Sequence, residues 1–354
     1  MTRLFVGGRM WPLLVMLGGI LLAPAAGRSA ETTAQEQAQR QNAQPGNNAP
    51  FYRDVRKSEN VTQTTTQVRG IETNILVQPA GQTWREIRNG PITLYGGLLL
   101  IIVPLVIFAF YRWRGPLKLH DGPTGRMIER FTDWERMVHW ATAISFVILA
   151  VSGVIILFGK YVILPVFGYT VFSWLAILGK NLHNFVGPLF VFCTVIMFVT
   201  FVRDNIWRQM DFAWMAKLGG MLGGREMPSG RFNGGEKTWF WFGVVILGII
   251  VSASGLVLDF PNFAQTREVM QQANVIHAIA AVIYVGISLG HIYLGTVGMK
   301  GAYEAMRTGY VDETWAKEHH SVWYEEVKAG KSRQHFSDDA PPEVKTQVAE
   351  AIRA

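Results

Sequence analysis

Two histidines, His277 and His291, stand fourteen residues apart in one apolar stretch, N-V-I-H-A-I-A-A-V-I-Y-V-G-I-S-L-G-H-I-Y-L-G, from Asn274 to Gly295. The stretch is long enough to cross a bilayer, which needs about 20 apolar residues. On a helix fourteen residues span about 21 Å and return to within about 40° of the starting direction. Both imidazoles therefore share one face at opposite depths of a membrane. Ionisable side chains inside a membrane are costly and point to function. Gly286 and Gly290 lie between the two histidines and leave room for something flat and large.

Composition sets the solvent. Of 354 residues, 49% are hydrophobic and only 17% charged, against roughly 25% charged in soluble domains. The formal charge of +7 fits Lys/Arg gathered in cytoplasmic loops rather than nucleic-acid binding. Cys193 is the single cysteine. One cysteine cannot form an intramolecular disulfide, a CxxCH haem attachment, a four-cysteine zinc site or an iron–sulfur cluster. A redox cofactor here must be held by histidine, without a covalent link.

The elements that position the histidines follow from the apolar runs. Residues 1–27 read as a signal peptide, with an uncleaved anchor as the alternative. Residues 28–90 form an extracytoplasmic arm, polar and disordered to about residue 60. Five apolar spans come next: Ile92–Tyr111, Val138–Phe158, Asn184–Val202, Trp239–Leu258 and Asn274–Gly295. The linkers 112–137 and 203–238 carry six Lys/Arg each; 159–183 carries Lys160 and Lys180, and 259–273 only Arg267. The positive-inside rule puts the two basic linkers and the C-terminus in the cytoplasm. No internal repeat is visible. The tail beyond Lys331 is charged and proline-containing, and is expected to be mobile.

This topology sorts the histidines. His139 opens the second span and His291 closes the fifth, both at the cytoplasmic side. His183 opens the third span and His277 the fifth, both at the outer side. Two imidazoles facing each other across a bundle suit one haem iron with two axial ligands, and bundle cores commonly hold such sites. Two haems about 20 Å apart make an electron wire. Ligation by two histidines leaves no open iron position, which favours electron transfer over oxygen chemistry. A single histidine at a helix end is more often interfacial or hydrogen-bonded. Four that pair by depth are harder to assign to packing. His120, His319, His320 and His335 lie in polar segments and read as solvated or as surface contacts.

Lesser signals have bland counterparts. Gly153, Gly187, Gly255, Gly286 and Gly290 suit haem clearance or close helix packing. The tryptophans near span ends, Trp239 among them, suit an aromatic belt. Arg130, Arg136 and Lys180 suit haem propionates or an interfacial role. In R-F-N-G-G-E-K, residues 231–237, the glycines expose backbone N–H groups at a helix start, where Asn233 with Gly234 or Gly235 could receive a quinone head group. An ordinary N-terminal turn explains them equally.

The chain resembles the gamma subunit of membrane-bound formate dehydrogenase, a di-haem cytochrome b. The likeness rests on R-F-T-D-W-E-R-M-V-H-W (130–140), L-H-N-F-V-G-P-L-F-V-F (182–192), R-F-N-G-G-E-K (231–237), the stretch from Ile276 to Tyr293, and W-A-K-E-H-H-S-V-W-Y (315–324). It implies an all-α integral membrane protein with a four-helix di-haem bundle over 113–302 and a cytoplasmic tail over 303–354; the signal-like segment, the polar arm and one additional N-terminal transmembrane helix over 91–112 depart from that pattern. It implies that His139 and His291 bind the inner haem b, and His183 and His277 the outer one. It also implies a quinone beside the inner haem, touched by His291, Asn233 and Gly235. The implied partners are an iron–sulfur beta subunit and a molybdenum or tungsten alpha subunit, in the inner membrane of a bacterium. The cytochrome b subunit of a nickel–iron hydrogenase or thiosulfate-type reductase shares this haem logic. A haem-free anchor or transporter does not.

Overall fold

The computed structural model describes residues 79–221 and 227–353. The chain divides into two units, Met1–Pro79 and Ala80–Ala354. The expected signal segment and most of the polar arm fall outside the described residues. The apolar spans all lie in the second unit.

Among the described residues the first helix, α1 (Pro79–Ile87), runs through a π-helical turn into α2 (Thr93–Arg114). Its sequence L-L-L-I-I-V-P-L-V-I-F-A-F is apolar on every side, and Gly96 is its one buried residue. Arg112 and Arg114 sit in the last turn, where cations complement the helix dipole, and Gly115 ends it with φ 72°. After strand β1 (Met127–Glu129), helix α3 (Asp133–Phe201) starts on a capping box: the Thr132 side chain accepts from Glu135 N–H and Glu135 accepts from Thr132 N–H.

Helix α3 counts 69 residues, about 100 Å if straight, three times a bilayer core. It is not straight. Gly168, at φ 75°, folds it into a hairpin with arms 133–167 and 169–201. Thr142 Oγ1 lies 3.4 Å from Cys193 O, and Ser152 Oγ 2.8 Å from His183 Nδ1, so the arms pack antiparallel. The arms are the expected second and third spans. Beyond the short α4 (Gln209–Ala216), helix α5 (Gly234–Thr238) leads through a π-helical stretch, Trp239–Leu247, into α6 (Gly248–Asp259). Helix α7 (Arg267–Tyr293) carries both His277 and His291. Among the described residues four continuous helices are thus long and apolar enough to cross a membrane, one of them folded in two. The chain is a multi-pass membrane protein.

Bulky apolar side chains such as Phe185, Phe192 and Val199 point outward, while the helix contacts bury Thr142, Ser145, Ser152, Gly179, Cys193, Ser254 and Ser288. Small residues that let backbones approach are what membrane helix pairs use. Gly286 belongs here: a Cβ on it would collide with Leu99 Cδ2 of α2. Helix packing, not cofactor clearance, accounts for that glycine.

The end of the bundle near His139 and His291 carries a folded cap. Strand β2 (Tyr310–Asp312) follows α8 (Ala302–Thr308); α9 (Glu313–His319), α10 (Ser321–Lys328), β3 (Phe336–Ser337) and α11 (Pro342–Arg353) come after. The strands form an antiparallel sheet in the order β2-β1-β3, with Ile128 opposite Val311 and Phe336. Met127, Ile128, Val311, Trp315, Trp323, Val348 and Ile352 fill its core, which runs on into Val138, Met197, Phe201 and Phe240 of the bundle.

The cap corrects three expectations. The protein is not purely α-helical. The tail beyond Lys331 is not loose: β3 pairs with β1, and Val348 and Ile352 of α11 are buried. His319 and His320 are not solvated. His320 is 1% exposed, hydrogen-bonded through Nδ1 to Gly230 O at 2.7 Å and set against Trp315. His120 and His335 are exposed, as expected.

Candidate functional site

The topology brings the four span histidines together two by two. His139 and His291 have ring centroids 6.4 Å apart at the cap end; His183 and His277 have theirs 6.0 Å apart at the far end. Two imidazoles clasping one metal at about 2.0 Å through Nε2 place their centroids about 6 Å apart. Both pairs fit. Among the described residues no cluster of three or more His, Cys, Asp or Glu could hold a metal ion. Two opposed nitrogens alone suit an iron whose other four positions are filled by a macrocycle, as in haem.

The far pair is held firmly. Ser152 Oγ lies 2.7 Å from Ile148 O, the carbonyl four residues back, and 2.8 Å from His183 Nδ1. Its one hydrogen goes to that carbonyl, so the hydroxyl oxygen accepts from the imidazole. Ser254 repeats this, with Ile250 O at 2.5 Å and His277 Nδ1 at 3.1 Å; Val251 O also accepts from that nitrogen. Each Nδ1 is therefore the protonated nitrogen, and each Nε2 keeps its lone pair for a metal. The glycine after each serine admits the ring. A Cβ on Gly153 would stand 3.3 Å from His183 Cε1, and one on Gly255 3.2 Å from His277 Cε1.

The cap-end pair is built differently. Trp239 lies parallel to His291, 11° between planes and 4.8 Å between centroids. It does so by lying back on Gly243, where a Cβ would meet its ring at 2.6 Å. Trp239 is thus a packing partner of a candidate ligand, not only a belt residue. His139 Nδ1 is buried, with no hydrogen-bond partner among the described residues. Between the two pairs, Tyr284 packs at 4.7 Å from Phe146 and 5.9 Å from Trp239.

A Cβ on Gly187, four residues after His183, or on Gly290, beside His291, would meet nothing within 4 Å. Open space next to a histidine is what a planar cofactor needs.

The remaining candidates have local explanations. Asn233 caps α5: its side chain accepts from Glu236 N–H at 3.0 Å, and Glu236 accepts from Asn233 N–H. A Cβ on Gly234 would meet Asp211 O at 2.7 Å, and one on Gly235 the Trp214 ring at 2.9 Å, so both admit close neighbours. The turn shares its end of the bundle with His291, because Trp239 is six residues on from Asn233. Arg130, 3% exposed, donates to Arg231 O and Glu236 within the cap. Burial lowers its pKa, against the pull of Glu236. Arg231 pairs with Glu135 at 2.7 Å and Asp204 at 2.5 Å, and Arg136 with Asp133. Lys180 is exposed at the far end.

A family model described as Prokaryotic cytochrome b561 matches residues 130–309, just over half of the chain. The chain belongs to the prokaryotic cytochrome b561 family. Its four pairing histidines all lie inside the match, while α1, α2 and the cap from β2 onward lie outside. Curated relatives of this cytochrome b are formate dehydrogenase subunits. The cytochrome b556(fdo) subunit of Escherichia coli (strain K12) is 33% identical over 210 residues, 57% of this chain and 93% of that protein. The nitrate-inducible cytochrome b556(Fdn) subunit of the same strain is 30% identical over 224 residues, 60% and 97%. The cytochrome b556 subunit from Haemophilus influenzae is 27% identical over 225 residues, 60% and 89%. Membership of a cytochrome b family implies haem b.

Sequence reading missed Ser152, Ser254 and the role of Trp239. A signal was present: the dipeptide Ser-Gly occurs in V-S-G-V (151–154) and again in A-S-G-L (253–256), each on the helix preceding an outer histidine. That is a short internal correspondence where none was expected.

Proposed function

We propose that this chain is the membrane cytochrome b subunit of a formate dehydrogenase complex, passing electrons from an iron–sulfur subunit through two b haems to quinone. The observation that carries the reading is the pair of opposed histidine couples, at 6.4 and 6.0 Å, in a chain similar to formate dehydrogenase cytochrome b556 subunits. His183 and His277 hold the outer haem, and His139 and His291 the cytoplasmic one. Haem held by two histidines supplies one-electron chemistry at an iron with no open position. The chain's own task is positioning: α7 fixes the two levels about 21 Å apart. The basic linkers support a cytoplasmic cap, with α2 as an additional helix beside the four-helix bundle in a bacterial inner membrane.

Quinone is assigned to the cap end, near His291 and the 233–235 turn. The helix cap uses Asn233 Oδ1, so the Nδ2 hydrogens are the group to meet a quinone carbonyl. Asn233→Asp keeps the capping oxygen and removes that donor. It is expected to slow quinone reduction while formate still reduces the b haems.

The test is the intact complex in mild detergent. Formate should reduce a b-type band in the difference spectrum, and the iron–sulfur and molybdenum or tungsten subunits should co-purify. No b-type band, or a band reduced by hydrogen and not by formate, overturns the reading.

A further inference from the structure

The two histidine pairs differ in what holds their other ring nitrogen. At the far end both Nδ1–H groups are donated, His183 to Ser152 and His277 to Ser254 and Val251 O. At the cap end, among the described residues, His139 Nδ1 is buried with no partner and no hydrogen bond joins the His291 ring to a neighbour; the His291 ring instead lies on Trp239. The difference is not an accident of one contact. The same Ser-Gly device serves both far histidines, each time across one helical hairpin, with the serine hydrogen committed to its own helix at 2.7 and 2.5 Å.

We propose that Ser152 and Ser254 are positioning residues that make the iron held by His183 and His277 harder to reduce than the iron held by His139 and His291. The inference rests on the reading of two bis-histidine haems. An Nδ1–H that is donated to an oxygen pushes electron density onto Nε2 and makes it a stronger base. A stronger base stabilises ferric iron more than ferrous. Hydrogen bonding behind the axial ligand is one of the levers by which a protein sets haem potential. The redox step is the gain of one electron by ferric iron, with no bond made and no proton moved. Electrons arriving at the outer level then run downhill to the cap end.

The experiment is a potentiometric titration of the b bands in the intact complex, with dithionite and ferricyanide as reductant and oxidant. His183→Ala and His139→Ala identify which component belongs to which pair. In the unchanged protein the component lost with His183 should titrate at the lower potential. Ser152→Ala and Ser254→Ala should each raise that component and leave the other in place, and the double variant should raise it further. Ser152→Thr and Ser254→Thr, which keep the hydroxyl, should restore the original value. If an alanine variant fails to retain haem, the order of the two components in the unchanged protein still decides. Absence of any b-type component refutes the haem reading itself. Two components present, with the far one higher or unmoved by either serine variant, overturns the present proposal alone.

Discussion

Trp239 and His291 lie face to face, 4.8 Å between ring centroids and 11° between planes. The stack fixes the rotation of the imidazole that has no hydrogen bond to fix it. Such aromatic pairs contribute about 0.5–1.5 kcal/mol beyond burial. Trp239→Ala should therefore weaken haem retention at the cap-end site about 2- to 10-fold and leave the far site loaded. Haem content after detergent washing, resolved by difference spectrum, measures this. Gly243→Leu should act in the same direction by pushing the indole off its seat.

Alanine at any one of the four paired histidines should remove one haem, not both. His183→Ala and His277→Ala should leave the same residual spectrum, as should His139→Ala and His291→Ala. The double variant His183→Ala, His277→Ala should lose no more than either single one. A haem assay per mole of chain reads the outcome. A variant pair with mismatched residual spectra would break the pairing seen here.

Gly187 and Gly290 separate protein packing from cofactor packing. A Cβ at either meets no described atom within 4 Å beyond its chain neighbours and its own helix's backbone. Gly290→Leu should therefore leave the helical content and thermal unfolding of the haem-free chain unchanged while reducing haem content. Gly255→Val differs: its branch reaches the His277 ring directly, so it should disturb the far site. Circular dichroism and haem content, measured together, distinguish the two effects.

His320 predicts an acid-labile cap. Burial, and next the Arg130 guanidinium, hold its pKa well below 6.5. The folded chain thus keeps it neutral while the unfolded chain takes up a proton at about 6.5. The stability it contributes is complete above that value and is lost as pH falls through the lowered folded value. Trp315 and Trp323 pack beside it, so their fluorescence should report opening as the solution is acidified. His320→Asn should flatten this dependence.

The last helix predicts a measurable packing loss. Val348 and Ile352 are 1% and 6% exposed. Truncating a buried isoleucine to alanine costs about 2–5 kcal/mol. Ile352→Ala should make the cap markedly more sensitive to protease, with the spans and their haem content unaffected.

The bundle was legible in the sequence because its signals are local. An apolar run states a span, a histidine inside one is conspicuous, and the step from His277 to His291 fixes a face and two depths. The cap was not legible. Its strands have three, three and two residues, too short for any periodicity, and β1 pairs with residues far along the chain, Ile128 with Val311 and Phe336. The two histidines at 319 and 320 lie among polar neighbours that give no sign of burial. Ser152 and Ser254 went unread because the ring that each one meets lies 31 or 23 residues downstream. The 233–235 turn showed the limit of a motif: its glycines answer to Asp211 and Trp214, which nothing nearby in the sequence announces.

Strand β1 precedes the hairpin of α3, yet both of its partners are made after α7. During synthesis Met127 and Ile128 therefore leave the ribosome long before anything exists to cover them. The sheet can close only once every membrane helix has been threaded and the final residues are released. A chain cut short before residue 310 leaves both edges of β1 unpaired, and one cut between 313 and 335 leaves the edge that β3 would cover.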